Sequence, residues 1–166
     1  MRRRCWASCN PVVAGTRVSV PAYSPFQVLQ RAAFLRRLGV QSLGEAADQR
    51  LLDATLALAR EGGEALRWEP LFFDWFGGFA SSARALGGAR GKLYQGEAFD
   101  AFRFALFEHA PDRPERLESA IFARSEPEEM LIDEVEAIWA AIDTGDDWAP
   151  FEAKISRFRA AGQAYC

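Results

Sequence analysis

The chain has 166 residues, and 49% of them are hydrophobic, including 13 Phe and 5 Trp. A chain of this size buries roughly 70% of the surface that it exposes when unfolded, so we expect one compact domain. A formal net charge of -3 gives no basic excess for phosphate contacts, which argues against nucleic acid as a partner. No apolar run approaches the roughly 20 residues that a membrane-spanning helix needs, and a soluble protein is expected.

Residues 1–23 show no helical periodicity, and turn-forming residues at Asn10, Pro11 and Gly15 interrupt them. We therefore predict an irregular leader over 1–23 and a single helical domain over 24–166. The charged start of the chain is not followed by the apolar core of a signal peptide, so secretion is not expected.

Three cysteines lie near the ends of the chain, at Cys5, Cys9 and Cys166. An odd number in these positions does not form a disulfide framework of the secreted kind. A reducing, cytoplasmic setting fits this pattern best.

The first predicted helices form a hairpin. Ser24 and Pro25 are typical of a helix start, and Gly39 is typical of its end. Ser42 and Glu45 match a capping box at the start of a second helix, which is expected to end at residues 62–63. The inner face of the second helix is predicted to hold Ala47, Leu51, Ala54 and Leu58.

Aromatic residues dominate the middle of the chain. Pro70 precedes a short predicted helix over 71–76 that two glycines, 77–78, terminate. A further turn or two is expected at 81–86. A longer helix is predicted over 97–109, and since its aromatic residues occupy two adjoining faces we expect it to be buried on more than one side. Those residues are Phe99, Phe102 and Leu106 on one face and Phe104 and Phe107 on the other.

The C-terminal part contains two amphipathic segments after a short helical piece at 115–123. Ser125 and Glu128 match a capping box, so a helix is predicted from there to Gly145. Asp146 or Asp147 is expected to cap the last helix. The predicted inner stripes are Leu131, Val135, Ile138 and Ile142 in the first helix and Phe151, Ile155 and Phe158 in the second. No alternating strand pattern occurs, so the predicted fold class is all-α with about six helices.

Charge is segregated along the sequence. Residues 1–40 hold seven Arg and no acid, whereas residues 126–147 hold nine acids and no base. Two interpretations stay open: the acids form the wet face of a helix, or the two ends of the chain face each other.

Several residues could carry chemistry. The stretch 87–92 is glycine-rich, but it lacks the spacing and the Ser/Thr of a phosphate-binding loop, and an interhelical loop is predicted instead. His109, the only histidine, is expected to cap a helix C-terminus. It has no motif of nucleophilic catalysis around it, and a zinc site with Cys5, Cys9 and Cys166 is disfavoured by their spacing.

Asp74 stands between two large aromatic residues, Phe73 and Trp75. A carboxylate in such surroundings indicates a structural role, as a cap for the backbone of residues 77–78, or an interface anchor. Asp74 and Trp75 are thus the candidate structural or interface residues.

Two segments carry a family resemblance: LFFDWFGG at 71–78 and SEPEEMLIDEVEAIWAAIDTGDDW at 125–148. Together with intervening runs such as LYQGEAFDAFRFAL, they resemble the C-terminal helical region of the SelO (selenoprotein O) family. Full-length members of that family resemble protein kinases and transfer AMP from ATP to protein hydroxyls, with Mg²⁺. The resemblance begins near Phe34, so the leader looks foreign to it, as expected of a shifted reading frame, a wrongly chosen start or a gene break.

The resemblance has further implications. The family's nucleotide-binding and catalytic motifs would lie upstream, and nothing in 1–33 resembles them, so the chain alone is expected to be inactive and to bind neither ATP nor Mg²⁺. Cys166 resembles the cysteine or selenocysteine near the family's C-terminus and is a candidate redox thiol. The partner would be the missing catalytic lobe.

Two other functions remain open. A helical interaction module would bury an aromatic groove against a protein partner without nucleotide. A small independent enzyme is disfavoured because the sequence shows no complete catalytic constellation. If the chain is instead a fragment of a larger enzyme, we expect an exposed apolar patch where the catalytic lobe docks.

Overall fold

A computed structural model describes residues 25–165, and they form an all-α array, as the sequence predicts. Its seven α-helices are α1 (Pro25–Leu38), α2 (Glu45–Gly62), α3 (Trp68–Asp74), α4 (Ser82–Gly87), α5 (Glu97–Phe107), α6 (Ile132–Gly145) and α7 (Ala149–Tyr165). Short 3₁₀ turns connect several of them. In this range the only strand-like pairing is an isolated bridge between Val40 and Pro111. No helix among these residues is both long and apolar enough to cross a bilayer.

The main core lies between α2, α3 and α5. The most extensive contact is that of α2 with α5, and α1 packs against α2 and α3. Trp75, directly after α3, is fully buried at the centre, where its ring contacts those of Tyr94, Phe99 and Phe102. Besides Trp75, the fully buried large apolar side chains of this core are Phe102, Leu38, Leu51, Leu71 and Leu106.

The start of α2 corrects the predicted capping box of Ser42 and Glu45. Gly44 is the N-cap residue, and no side chain caps the helix. The Ser42 hydroxyl instead donates to the carboxylate of Asp48, which also accepts from the backbone N–H of Leu43 at 3.0 Å. Glu45 forms an ion pair with Arg31 of α1 at 2.7 Å. The acid that holds the loop before α2 is thus Asp48, which lies one turn after the Glu45 of the predicted capping box.

The aromatic helix α3 spans Trp68–Asp74 and not 71–76 as predicted, so it ends before Gly77 and Gly78, which lie in the turn that follows it. Both have positive φ values, 86° and 69°, which favour glycine. A Cβ on Gly78 would lie 2.8 Å from Cγ1 of Val40, and one on Gly77 would lie 2.6 Å from Cδ2 of Leu117. The two glycines therefore allow the chain to reverse in close contact with the core.

The prediction that α5 is buried on two sides is wrong. Phe99, Phe102 and Leu106 are buried against α2, as predicted. Phe104 and Phe107, however, are 75% and 67% exposed. The helix has one inner face, and its second aromatic face is open to solvent.

The Ser125–Glu128 capping box does not form either. Residues 127–131 are not helical, and α6 begins at Ile132. The helix ends at Gly145, as predicted, with Asp146 in the left-handed conformation after it. None of its residues is fully buried, and of its predicted stripe only Ile138 and Ile142 are even half-buried.

The last helix, α7, packs by small residues and not by its predicted aromatic stripe. Phe151 is exposed, and Ile155 and Phe158 are only half-buried. Ala161 and Ala164 pack instead into a second apolar cluster, whose other buried members are Phe73, Phe76, Ile121 and Phe122. The carboxylate of Asp147 accepts from the backbone N–H of Ala149 at 3.0 Å, which confirms one of the two predicted caps.

Candidate functional site

One candidate site is an apolar groove on the outer face of α5. Its lining consists of Phe79, Asp100, Arg103, Phe104 and Phe107, and its volume is about 590 Å³. The rings of Phe79 and Phe107 meet edge to face with their centroids 5.0 Å apart. We call these five residues the α5 groove.

The helical repeat explains why this groove is exposed. Phe104 and Phe107 are three residues apart and project from the same side of α5 as Asp100 and Arg103. Phe99, Phe102 and Leu106 occupy the opposite side. Asp100 and Arg103 indicate in the sequence that this side of α5 faces outward. The prediction of burial rested on the aromatic residues alone.

Asp74, a predicted structural or interface residue, is the acceptor of a buried polar network. Arg90 donates to both of its carboxylate oxygens, from Nε and Nη2, each at 2.8 Å. The hydroxyl of Tyr94 donates to Oδ2 at 2.6 Å. A third nitrogen of Arg90, Nη1, donates to Glu126 at 2.6 Å. The network therefore ties α3 to the 87–96 loop and to the segment before α6.

This geometry corrects the predicted cap. The backbone N–H of Gly77 donates to Leu38 and that of Gly78 to Trp75, so Asp74 caps neither glycine. Burial and the hydrogen bond to Asp74 raise the pKa of the Tyr94 hydroxyl well above its usual value. A carboxylate whose two oxygens both accept from a guanidinium group is poorly placed to take a proton from a substrate.

Trp75, the second candidate, lies wholly inside the core and presents no surface to a partner. Its indole Nε1 has no hydrogen-bond acceptor. Its contacts with Tyr94, Phe99 and Phe102 indicate a packing role. The large exposed aromatic residues of α5, Phe104 and Phe107, are instead ones that the sequence analysis had assigned to the interior.

Several carboxylates of the acidic stretch at 126–147 form ion pairs. Glu128 accepts from Lys154 at 2.7 Å, from Arg157 at 3.1 Å and from Arg124 at 2.9 Å. Glu134 also binds Lys154 and Arg157. These acids therefore pair with cations of α7 and of the preceding turn. Arg31 and Arg37, two of the three described arginines among residues 1–40, pair instead with Glu45 and Glu69.

His109 does not cap a helix terminus as predicted. It is buried after the end of α5, and its Nδ1 lies 2.9 Å from the carbonyl oxygen of Gln41. Asp48 is 4.0 Å away, and the hydroxyl of Ser42 bonds to that carboxylate and not to the imidazole. A nucleophilic serine needs the imidazole as its base, so this trio is not a catalytic triad. His109 joins the loop before α2 to the end of α5.

Metal-ligating side chains are not clustered in the described part of the chain. Within residues 25–165 no group of three His, Cys, Asp or Glu side chains is placed to hold a metal ion. The glycine-rich stretch at 87–92 leads into a 3₁₀ turn, Gly91–Leu93, and no strand of the described residues precedes it. Its Arg90 donates hydrogen bonds to Asp74. Cys5, Cys9 and Cys166, the last of them the candidate redox thiol, lie outside the described residues.

Comparison with known proteins adds no relative: no family model, no curated protein and no solved structure matches the chain.

Proposed function

We propose that this chain is the C-terminal helical part of a SelO-like protein adenylyltransferase, and that the α5 groove docks the kinase-like catalytic lobe. The lobe would supply ATP binding, Mg²⁺ and the transfer of AMP to protein hydroxyls. The helical part alone is inactive in this proposal, and a cytoplasmic setting is part of it. The family resemblance at 71–78 and 125–148 motivates the identity.

The exposed groove is the observation that carries the docking role. Phe104 and Phe107 leave most of their surface in water although the same helix buries three other large residues. Contiguous exposed apolar surface of this kind, rimmed by charged residues, is typical of a protein interaction site. Asp100 and Arg103 supply a rim with both signs of charge.

A lobe-binding assay tests this proposal. The chain is mixed with the kinase-like lobe of a SelO-family enzyme made as a separate polypeptide, and complex formation is followed by size-exclusion chromatography with light scattering. We expect a one-to-one complex, and we expect Phe104→Ser with Phe107→Ser to abolish it. Leu43→Ser is the control at an exposed apolar residue outside the groove, since Leu43 is 50% exposed and lies in the loop before α2. Failure of the unmodified chain to bind the lobe would overturn the proposal.

Nucleotide transfer is measured in the same mixtures with labelled ATP. The chain alone should transfer no AMP, and its melting temperature should not change with magnesium-ATP. A ligand present at 100 times its dissociation constant would stabilise the fold by about 2.7 kcal/mol, so binding would be readily visible. A clear shift would mean that the chain has a nucleotide site of its own.

The alternative function is a stand-alone helical interaction module. The α5 groove also favours this function, because an exposed apolar groove could bind any protein partner of matching shape. The two functions differ in the lobe-binding assay: the module binds a partner through Phe104 and Phe107 but does not bind the kinase-like lobe.

A further inference from the structure

A second exposed face lies on α6, away from the α5 groove. Ile132 and Trp139 are 68% and 67% exposed, and Val135 is also exposed. The apolar residues Ile138 and Ile142 of the same helix are half-buried, and the helix contacts α7. The outer side therefore has no partner among the described residues.

The spacing of these residues produces a continuous stripe. Positions 132, 135, 136, 139 and 143 recur at three and four residues, so their side chains share one face of the helix. This face alternates apolar with acidic side chains: Ile132 and Val135, then Glu136, then Trp139, then Asp143. We call these five residues the α6 face.

The acids of this face have no partner in the described part of the chain. Within residues 25–165, Glu136 and Asp143 form no ion pair and no side-chain hydrogen bond, in contrast to Glu134 on the inner side of the same helix. The helix contains no basic residue that could neutralise them. Their charges thus remain available to a partner.

Charge limits what can cover the α6 face. Nucleic acid and anionic lipid surfaces are repelled by carboxylates. A second copy docking through the same face would place its acids against those of the first copy, which costs free energy. A partner with apolar residues and cations in the same helical pattern meets none of these penalties.

We propose that the α6 face is a docking surface for a basic amphipathic helix of a partner protein. The apolar side chains of that helix pack on Ile132, Val135 and Trp139, and its Lys or Arg residues pair with Glu136 and Asp143. Two helices packed in this way use anchors at three and four residue spacing on both sides. This docking surface is independent of the α5 groove and of the identity of the parent enzyme.

The test uses a synthetic helical peptide of about 18 residues made of Leu and Lys in an amphipathic pattern, with the matching Leu and Glu peptide as its control. Binding to the full chain is measured by isothermal titration calorimetry, and the bound surface is mapped by amide chemical shifts. We expect the basic peptide to bind and to shift the amides of α6. We expect the acidic peptide not to bind.

Two variants and one matched control locate the interaction. Trp139→Ala should weaken binding about tenfold or more, as is usual for a buried aromatic anchor. Glu136→Gln with Asp143→Asn should also weaken it and reduce its dependence on salt. Phe26→Ala, a similarly exposed aromatic residue on α1, should leave the affinity unchanged. All these positions are exposed, so the variants should fold, which circular dichroism checks.

Several outcomes would overturn the proposal. No binding of the basic peptide, equal binding of the acidic peptide, or a Trp139→Ala variant within twofold of the unmodified chain would each contradict it. Self-association that Trp139→Ala removes would assign the face to a second copy, and binding to anionic vesicles that it removes would assign the face to a lipid surface. Neither result depends on whether the kinase-like lobe binds, so failure here is distinguishable from failure of the proposed function.

Discussion

Replacing Asp74 by Asn should destabilise the fold strongly while changing its shape very little. Either orientation of the new amide would place an N–H₂ group against one of the two Arg90 nitrogens that now donate at 2.8 Å. Breaking a buried ion pair from one side costs about 3–5 kcal/mol. Arg90 keeps its bond to Glu126, so we expect the lower end of that range, about 3 kcal/mol.

Thermal unfolding followed by circular dichroism measures this loss. For a domain of this size, about 1 kcal/mol corresponds to about 2–4 °C, so the melting temperature of Asp74→Asn should fall by about 6–12 °C. Asp100→Asn is the matched control, because Asp100 is an exposed carboxylate on α5, and its effect should stay within about 0.5 kcal/mol. Adding Arg90→Met to Asp74→Asn should cost less than the sum of the two single changes.

An Asp74→Asn variant that melts within about 1 °C of the unmodified chain would refute this reasoning. So would strict additivity with Arg90→Met, since it would show that the two side chains do not stabilise each other.

Three further predictions concern pH and backbone conformation. Burial raises the pKa of Tyr165 to about 12. The fold should therefore lose stability as pH rises above the unfolded pKa near 10, by about 1.4 kcal/mol per pH unit for this group. In denaturant titrations, Tyr165→Phe should lose less stability between pH 10 and 11 than the unmodified chain. Burial opposes ionisation of Glu128, but hydrogen bonds from Lys154 and the two neighbouring arginines outweigh it and hold the pKa of Glu128 below its usual range. Its contribution is present above the unfolded pKa near 4.3 and lost as pH falls, and Glu128→Gln should be less stable at pH 7 but less sensitive to acid below pH 4. Gly78→Ala should destabilise the fold by about 1–3 kcal/mol, because the residue has a positive φ and its new Cβ would lie against Val40. An unchanged melting temperature would contradict that account.

The helices themselves were predictable because their signals are local. Glycines at 39, 62 and 145 mark helix ends, and each one lies at or directly after the end of a helix in the structure. Apolar spacing identified the inner face of α2 and one face of α5. Signals of this kind depend on residues within one or two turns, which the sequence shows directly.

The capping boxes failed because their acids have stronger partners far along the chain. Glu128 is a capping residue by pattern, but three cations surround it, two of them from α7. Arg90 lies 16 residues after Asp74, and Tyr94 lies 20 residues after it. No local spacing encodes such pairs, so the network around Asp74 could be found only in three dimensions.

Aromatic residues were misassigned for a different reason. Burial of apolar side chains is favourable on average, by about 25 cal/mol per Å². That average predicts the interior for Phe104 and Phe107, yet α5 can turn only one face toward α2. The surplus apolar residues then form the outer surface.

This division between inner and outer residues separates folding from docking. Asp74 and Trp75 are buried, so their replacement should weaken the fold and, with it, every interaction of the chain. Phe104 and Trp139 leave about two-thirds or more of their surface in water, so their replacement removes little that stabilises the folded state. A loss of binding in the Phe104 or Trp139 variants at unchanged melting temperature would therefore report on the docking surface itself. Because the two residues lie on different helices, each variant also serves as the folding control for the other.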